Sequence, residues 1–299
     1  MSSELAVSPA EPQPYGEVYD RGYQHYEGER LGRKHAFGAL IRYSIQRSLG
    51  IKKRWTAKVV PIIIYVVAAG AVLIMIGIEA FIDEATMNYG EFFTFLLFPL
   101  IGLFVATTAP EMLCADRREN VLALYFSRAI TRLDYVLSKL AAMAILTLTI
   151  SLVPQAFFWL FRQLLADAPL PALKDNLDEL GKIAVTGTLL ALYLGAIGLA
   201  VASFTKRKAI AIAIIFVGWI VTEAFIGIFT EAVSDQGWSD YLALLSPFTC
   251  AGLLAHSLLT TPTERDFEIP LDWWWYALAM VTTIVIACAV MVWRYVPED

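Results

Sequence analysis

Six long apolar stretches constrain the fold of this chain more than any other feature of its sequence. They cover about residues 59–82, 92–113, 135–161, 182–204, 209–231 and 273–296 of the 299-residue chain. Each is long enough to cross a bilayer as a helix, which takes about 20 predominantly apolar residues. Charged residues make up 17% of the chain, against about 25% in soluble domains. The sequence therefore predicts an all-α membrane protein with six transmembrane helices.

A seventh apolar stretch, residues 241–259, is interrupted by Pro247 and by several hydroxyl-bearing residues. Each half has only about ten residues, which is too short for a span. We therefore expect a re-entrant helical hairpin before the last span. The alternative is a seventh span.

The positive charges predict the orientation in the membrane. With six spans, nineteen of the 23 lysines and arginines fall on one side and four on the other. Basic residues accumulate in cytoplasmic loops. We therefore expect a multi-pass protein of the cell membrane (inner or plasma membrane), with both termini, the loop at 114–139 and the turn at 205–208 on the cytoplasmic side.

Several kinds of chemistry find no support in the sequence. No Gly-Lys-Ser or Gly-Lys-Thr is present, so the phosphate-binding loop of ATPases is missing. The three cysteines and three histidines are scattered, which predicts neither a disulfide framework nor a metal site. The formal net charge of −5 argues against a nucleic-acid partner. We expect no catalytic residue, no metal and no cofactor on this chain.

The N-terminal part divides into a tail and a helix. Residues 1–35 are polar and rich in proline near their start, which is typical of disorder. Residues 36–57 predict an amphipathic interfacial helix followed by basic residues, ahead of a membrane domain over 58–299. One face of the helix is mainly apolar, and the other carries the polar residues Arg42, Tyr43, Gln46 and Arg47.

The charged segment between the second and third stretches predicts another amphipathic helix, at 116–127. At 100° per residue, Asp116, Glu119, Asn120 and Ser127 share one side, and apolar residues from Val121 onward share the other. Such a helix lies along a membrane surface and presents its polar face to a soluble partner. An ordinary loop that anchors two spans is the alternative.

This segment resembles the first cytoplasmic loop of ABC-type export permeases of the type-2 family. The resemblance is carried by Glu111, by Asp116 to Asn120, by Ser127-Arg128, and by the residues at 131–135 and 138–139. In that family the loop forms a coupling helix that docks on a separate ATPase subunit. The resemblance implies the following ATPase-coupling residues, which include the turn between the fourth and fifth spans: Asp116, Arg117, Arg118, Glu119, Asn120, Lys206 and Arg207.

Glu223 is the ionisable residue deepest inside the fifth stretch. Such groups are costly in a membrane and tend to face a cavity or a partner. In the resembling family the second and fifth spans line the translocation path at a dimer interface. The resemblance therefore implies that Trp219, Thr222 and Glu223 face that path. A carboxyl group satisfied by a neighbouring helix is the alternative.

A stripe of small residues in the fourth stretch predicts close helix packing. It consists of Gly187, Ala191, Gly195, Gly198 and Ala202. The stripe is explained either by packing inside the chain or by contact with another subunit, and we favour packing inside the chain.

Taken together, these features and the resemblance indicate the permease subunit of an ATP-driven exporter. It would work as a homo- or heterodimer in membrane lipid, with a cytoplasmic ABC ATPase that binds the ATP. The alternative is a secondary transporter or channel that needs no ATPase, whose usual sign is an inverted repeat. We find no internal repeat in the sequence.

Overall fold

The structure is a computed structural model that describes residues 31–51, 53, 55–81, 87–127, 130–233, 238–260 and 269–295. Every regular element in these ranges is a helix. The tail predicted at 1–35 lies outside the described residues except for its last five. The described residues from Gly32 onward belong to one compact unit.

Six helices within the described ranges are long and apolar enough to cross a membrane. They are Ala57–Phe81, Tyr89–Arg118, Arg132–Leu165, Leu177–Ala202, Lys208–Ala232 and Trp273–Tyr295, and we call them the first to sixth spans. The six predicted spans are confirmed. The second and third spans are longer than predicted, because their helices continue past the apolar stretch into the charged loop that joins them.

Shorter helices lie between the spans. We call Arg33–Ser48 the connecting helix and Leu122–Phe126 the short helix; a third, Pro169–Asp175, precedes the fourth span. Before the last span, a 3₁₀ segment Ser239–Leu245 meets the helix Pro247–Leu259 at an angle of 105°. This bent pair, which we call the hairpin, confirms the predicted break at Pro247.

Local sequence explains where several helices begin. Ser246 caps the second helix of the hairpin by accepting a hydrogen bond from the Thr249 backbone N–H at 2.9 Å, and proline is well tolerated just after such a cap. Thr131 and Asp134 form a reciprocal capping box at the start of the third span. The second span includes a wider π-helical turn, Phe92–Leu97, close to Pro99, which has no N–H to donate.

The second, third and fourth spans form the core. In their most apolar windows, 61%, 50% and 67% of the residues are buried, against 22% in the first and sixth spans and 11% in the fifth. The fifth span is therefore the most peripheral of the six. Its outward-facing row of large apolar side chains includes Ile214, Val217, Val221 and Phe225.

The small-residue stripe of the fourth span packs inside the chain. A Cβ atom on Gly198 would lie 2.2 Å from Val105 Cγ1 of the second span, and one on Gly187 would lie 2.5 Å from Leu152 Cδ2 of the third. The Ser151 hydroxyl donates to the Gly187 carbonyl at 2.9 Å, which requires close approach of the two helices. The prediction of internal packing is confirmed.

The predicted polar face of the connecting helix is wrong at one residue, Arg47. We expected Arg47 on the polar, outward side, but it is only 9% exposed. Its guanidinium group reaches back to Asp116 and Glu119 at the end of the second span. The periodicity misassigned this residue because the connecting helix packs against charged groups and not only against apolar ones.

The stripe generates a stability prediction. Gly198→Ala forces Val105 to move, and we expect it to lower the free energy of unfolding by about 1–3 kcal/mol, the usual cost of overpacking. Gly181→Ala is the matched control, because its Cβ has open space in the same span and alanine favours helix. Thermal denaturation of the purified chain in detergent measures both. Equal melting temperatures for the two variants would show that the contact between Gly198 and Val105 does not limit the residue at position 198.

Candidate functional site

Asp116 lies at the centre of a charged network where the second and third spans meet. Its side chain and that of Lys139 are both fully buried, and Lys139 Nζ lies 2.7 Å from Asp116 Oδ2. Arg47 donates to Asp116 Oδ1 at 3.3 Å, and the Tyr135 hydroxyl donates to Oδ2 at 3.1 Å. Both carboxylate oxygens therefore have partners, as a buried charge requires.

The network extends into the connecting helix and onto the surface. Lys139 donates to the Ser44 hydroxyl at 3.0 Å, and Arg47 donates to the Tyr43 hydroxyl at 2.9 Å. The second guanidinium nitrogen of Arg47 lies 2.6 Å from Glu119 Oε1. This hydrogen bond, with help from the nearby positive charges, holds the pKa of Glu119 below its ordinary value. The network thus joins the connecting helix to the inner core.

Glu111 joins the start of the fifth span to the same region. Lys208, the first residue of that span, lies with its Nζ 2.7 Å from Glu111 Oε2. Lys53, from the segment after the connecting helix, pairs with the other carboxylate oxygen. One glutamate of the second span therefore contacts basic residues from two other parts of the chain.

The segment 116–127, expected as one helix, is divided in the structure. The second span continues through Arg118, and a turn follows in which Asn120 has a φ of +52°. Asparagine is one of the residues that tolerate this left-handed conformation. The short helix begins after the turn and exposes Leu124, which is 62% accessible. The helix ends at this turn because a residue in the left-handed conformation does not continue a right-handed helix.

A basic cleft of about 530 Å³ lies beside this turn. We use the name for the surface lined by Arg117, Arg118, Asn120, Lys206, Arg207, Lys208 and Ala209. Arg117 is half-buried and also donates to the Ser203 carbonyl. The tertiary structure thus places the end of the second span beside the turn between the fourth and fifth spans.

An apolar cleft of about 240 Å³ lies farther along the same helices. We use the name for the space among the second, fourth and fifth spans whose walls include Gly102, Val201, Ile214, Gly218 and Trp219. Thr222 and Pro247 also line it. Trp219 packs against Phe98 with ring centroids 5.5 Å apart, so aromatic rings form one end of the cleft.

Glu223 faces the hairpin. Its carboxyl oxygens accept a hydrogen bond from the Ser246 hydroxyl at 2.5 Å, from the Phe248 backbone N–H at 2.7 Å and from the Thr249 hydroxyl at 3.2 Å. A carboxyl group at a helix N-terminus satisfies N–H groups that have no partner within the helix. Glu223 therefore ties the fifth span to the hairpin, and its carboxyl group has partners from a neighbouring element, which is the alternative expected for this residue.

The predicted site residues fall into four places. Arg117, Arg118, Asn120, Lys206 and Arg207 meet in the basic cleft, and Trp219 and Thr222 line the apolar cleft. Asp116 and Glu119 belong to the charged network, and the burial of Asp116 leaves no atom of it for contact with a soluble partner in this conformation. Glu223 is the hairpin tie.

Two members of the network, Arg47 and Lys139, were missed as site residues. The signal for Lys139 was present, since an ionisable residue inside a predicted span calls for a partner. The identity of that partner is not readable from the sequence. Within the described residues, no group of three or more potential ligands is placed to hold a metal ion.

Comparison with protein families gives a match to this chain. The model of a family described as ABC-2 family transporter protein matches residues 72–289, which is more than two thirds of the chain. The match runs from within the first span into the sixth, so it includes both clefts and the hairpin. A comparison with curated proteins finds no match.

The charged network generates a second stability prediction. Asp116→Ala leaves Lys139 buried without its carboxylate, and we expect a loss of about 3–5 kcal/mol, as for other broken buried ion pairs. Asp178→Ala is the control, since Asp178 pairs with Lys182 on the surface, where such pairs contribute about 0.5 kcal/mol. Thermal unfolding in detergent distinguishes them. A loss of stability no larger than that of Asp178→Ala would show that the charged network does not stabilise the fold.

The contact between Glu223 and the hairpin generates a third stability prediction. Glu223→Ala removes the acceptor of three hydrogen bonds, and we expect a loss of about 1–3 kcal/mol with faster labelling of a cysteine placed at Ser257. Glu231→Ala, at an exposed position of the same span, should change neither. Unchanged labelling in Glu223→Ala would show that the hairpin does not depend on this tie.

Proposed function

Because the chain belongs to the ABC-2 family of transporter proteins, we propose that it is the transmembrane permease subunit of an ATP-driven exporter, moved by a separate ATPase subunit. The family assignment makes the chain a permease of an ABC transporter. The proposal goes further in three respects: the direction of transport is export, the ATPase is a separate subunit, and particular residues of this chain contact it.

One observation carries the proposal. An exposed turn and short helix, residues 119–126, are anchored to the core by the charged network directly behind them. A force applied to an isolated loop would be lost in the motion of the loop itself. Here the turn is joined through Arg47, Asp116 and Lys139 to the connecting helix and to the second and third spans. The geometry is suited to transmit movement.

The ATPase-facing surface in this proposal consists of the turn and the short helix, with Lys206 and Arg207 at its border. Leu124 supplies an exposed apolar side chain at the centre, and Arg118, Glu119 and Asn120 supply the polar rim. Apolar centres with polar rims are typical of protein interfaces. Asp116 acts from behind as a positioning residue. The ATP is bound by the partner and not by this chain.

A second permease subunit, identical or different, completes the proposed transporter. The fifth span has little cover from its own chain, and its exposed row, including Ile214, Val217 and Val221, supplies the surface for the dimer. Trp219 and Thr222 would then line a path between the subunits. Polar contacts tie this span to Glu111 at its first residue, Lys208, and to the hairpin at Glu223 in its second half.

The proposed mechanism is alternating access. Closure of two ATPase subunits on ATP pushes the short helices, and the charged network passes the displacement to the spans as a unit. The fifth span, the least buried of the six, follows through its polar ties to Glu111 and to the hairpin. The protein is multi-pass; we propose that it resides in the cell membrane with both termini on the cytoplasmic side, as the basic residues predict.

A paired substitution tests the ATPase contact. Leu124→Arg in the tagged full chain, co-expressed with ABC ATPase subunits of the same organism, should lower the retained ATPase at least tenfold. That corresponds to about 1.4 kcal/mol, a modest loss for a central interface residue. Leu170→Arg is the control, because Leu170 is similarly exposed but lies in the helix before the fourth span, at the opposite ends of the spans.

Two outcomes would contradict the proposal. Equal retention of the ATPase by both variants would remove the short helix from the interface. Transport of solute into liposomes by the purified chain alone, driven by an ion gradient, would favour a secondary transporter.

A further inference from the structure

The basic cleft and the apolar cleft lie along one edge of the molecule. Both are bounded by the second span, by the fourth span or the turn after it, and by the fifth span. On the fifth span, Lys208 lines the basic cleft, and Ile214, Gly218 and Thr222 line the apolar cleft. At 1.5 Å per residue, Lys208 and Ile214 are about 9 Å apart along the helix, and Lys208 and Thr222 about 21 Å.

The charge of the basic cleft is only partly neutralised by the protein. Lys208 has Glu111 as a partner at 2.7 Å, and Arg118 has Glu119 at 3.6 Å. In the part of the chain that the structure describes, no carboxylate lies within ion-pair distance of Arg117, Lys206 or Arg207. Three positive charges therefore converge on one concave surface with no negative side chain among its lining residues.

The backbone adds to the attraction for an anion. The fifth span begins at Lys208, and no side chain caps its N-terminus. The first N–H groups of a helix have no partner within it, and the helix dipole places partial positive charge there. A phosphate group is the typical ligand of such a position.

The apolar cleft indicates what is attached to the anion. Its walls are almost wholly hydrocarbon and aromatic surface, from Val201 and Ile214 to Trp219. One leaflet of a bilayer is about 15 Å thick in its hydrocarbon part, which matches the distance from the basic cleft into the apolar one. An acidic protein surface would explain the cations but would leave the apolar cleft unused.

We propose that the two clefts together bind one anionic phospholipid from the leaflet on the basic side. The phosphate head group lies among Arg117, Lys206 and Arg207 and near the start of the fifth span. One acyl chain follows the fifth span into the apolar cleft and contacts Trp219. Anionic head groups bind to basic pockets between transmembrane helices by the same chemistry. This binding goes beyond the proposed function and needs neither the ATPase nor ATP.

Trp219 provides a local probe. The purified full chain is placed in liposomes that contain phosphatidylglycerol or phosphatidylcholine with brominated acyl chains, which quench tryptophan on contact. The signal of Trp219 is the difference between the native chain and Trp219→Phe. We expect half-maximal quenching of this signal at a severalfold lower mole fraction of the brominated phosphatidylglycerol than of the brominated phosphatidylcholine.

Charge variants test the head-group half of the site. Each basic residue near an anionic lipid contributes about fivefold to binding, so Lys206→Gln with Arg207→Gln should abolish the severalfold preference for phosphatidylglycerol. Lys34→Gln with Arg42→Gln is the matched control: it removes two exposed charges of the connecting helix that are not in the cleft. Its preference should equal that of the native chain.

A filling variant tests the acyl-chain half. Gly218 lines the apolar cleft, and a Cβ atom there has no heavy atom within 4 Å, so Gly218→Leu adds hydrocarbon at the wall of the cleft. We expect it to abolish the preferential quenching of Trp219, with the helical circular dichroism unchanged. Gly227→Leu, in equally open space on the same span but outside the lining of the cleft, should leave the quenching as it is.

Three results would overturn the proposal. These are equal quenching by the two lipids, equal effects of the two charge variants, and undiminished quenching in Gly218→Leu. If Lys206→Gln with Arg207→Gln lost the ATPase but kept the lipid preference, the basic cleft would be a protein-docking surface instead. Because the lipid is measured on the chain alone, failure of the exporter proposal leaves this test unaffected.

Discussion

The structure depends on a charge that cannot reach water. Asp116 and Lys139 are fully buried, and an unpaired charge at such depth is too costly to persist. Their pairing holds the end of the second span against the start of the third, and Arg47 brings the connecting helix to the same point. The neighbouring ends of three helices are therefore positioned by one set of ion pairs, and the turn before the short helix lies directly beside it.

The core spans and the fifth span differ in how they are packed. The second, third and fourth are held by close apolar contact, most clearly where Gly198 meets Val105. The fifth is the least buried of the six and carries polar ties at Lys208 and Glu223, with the Trp219 ring packed against Phe98 between them. Close packing resists deformation, whereas a helix that is little buried moves at a lower cost. The arrangement separates a rigid part, beneath the proposed ATPase surface, from a part that is able to follow it.

The fold was largely predictable from the sequence, and the site only in part. The lengths of the apolar stretches gave the number of spans, and Pro247 gave the break in the hairpin, because both follow from local rules of helix length and hydrogen bonding. The pattern at 116–127 did not reveal the turn at Asn120, because helical periodicity does not register a single left-handed residue. Arg47 was assigned to the wrong face for a different reason: a buried arginine and an exposed one look alike until their partners are known.

What the sequence by itself determined is a six-span membrane helix bundle with a broken seventh stretch and one strongly basic side, since each of these follows from composition along the chain. What only the tertiary structure decided is which distant residues meet. Asp116 and Lys139 are 23 positions apart, and Glu223 and Ser246 are likewise 23 apart. Residues at such separations are brought together by the packing of whole helices, and periodicity specifies the face of a helix but not the neighbour that covers it.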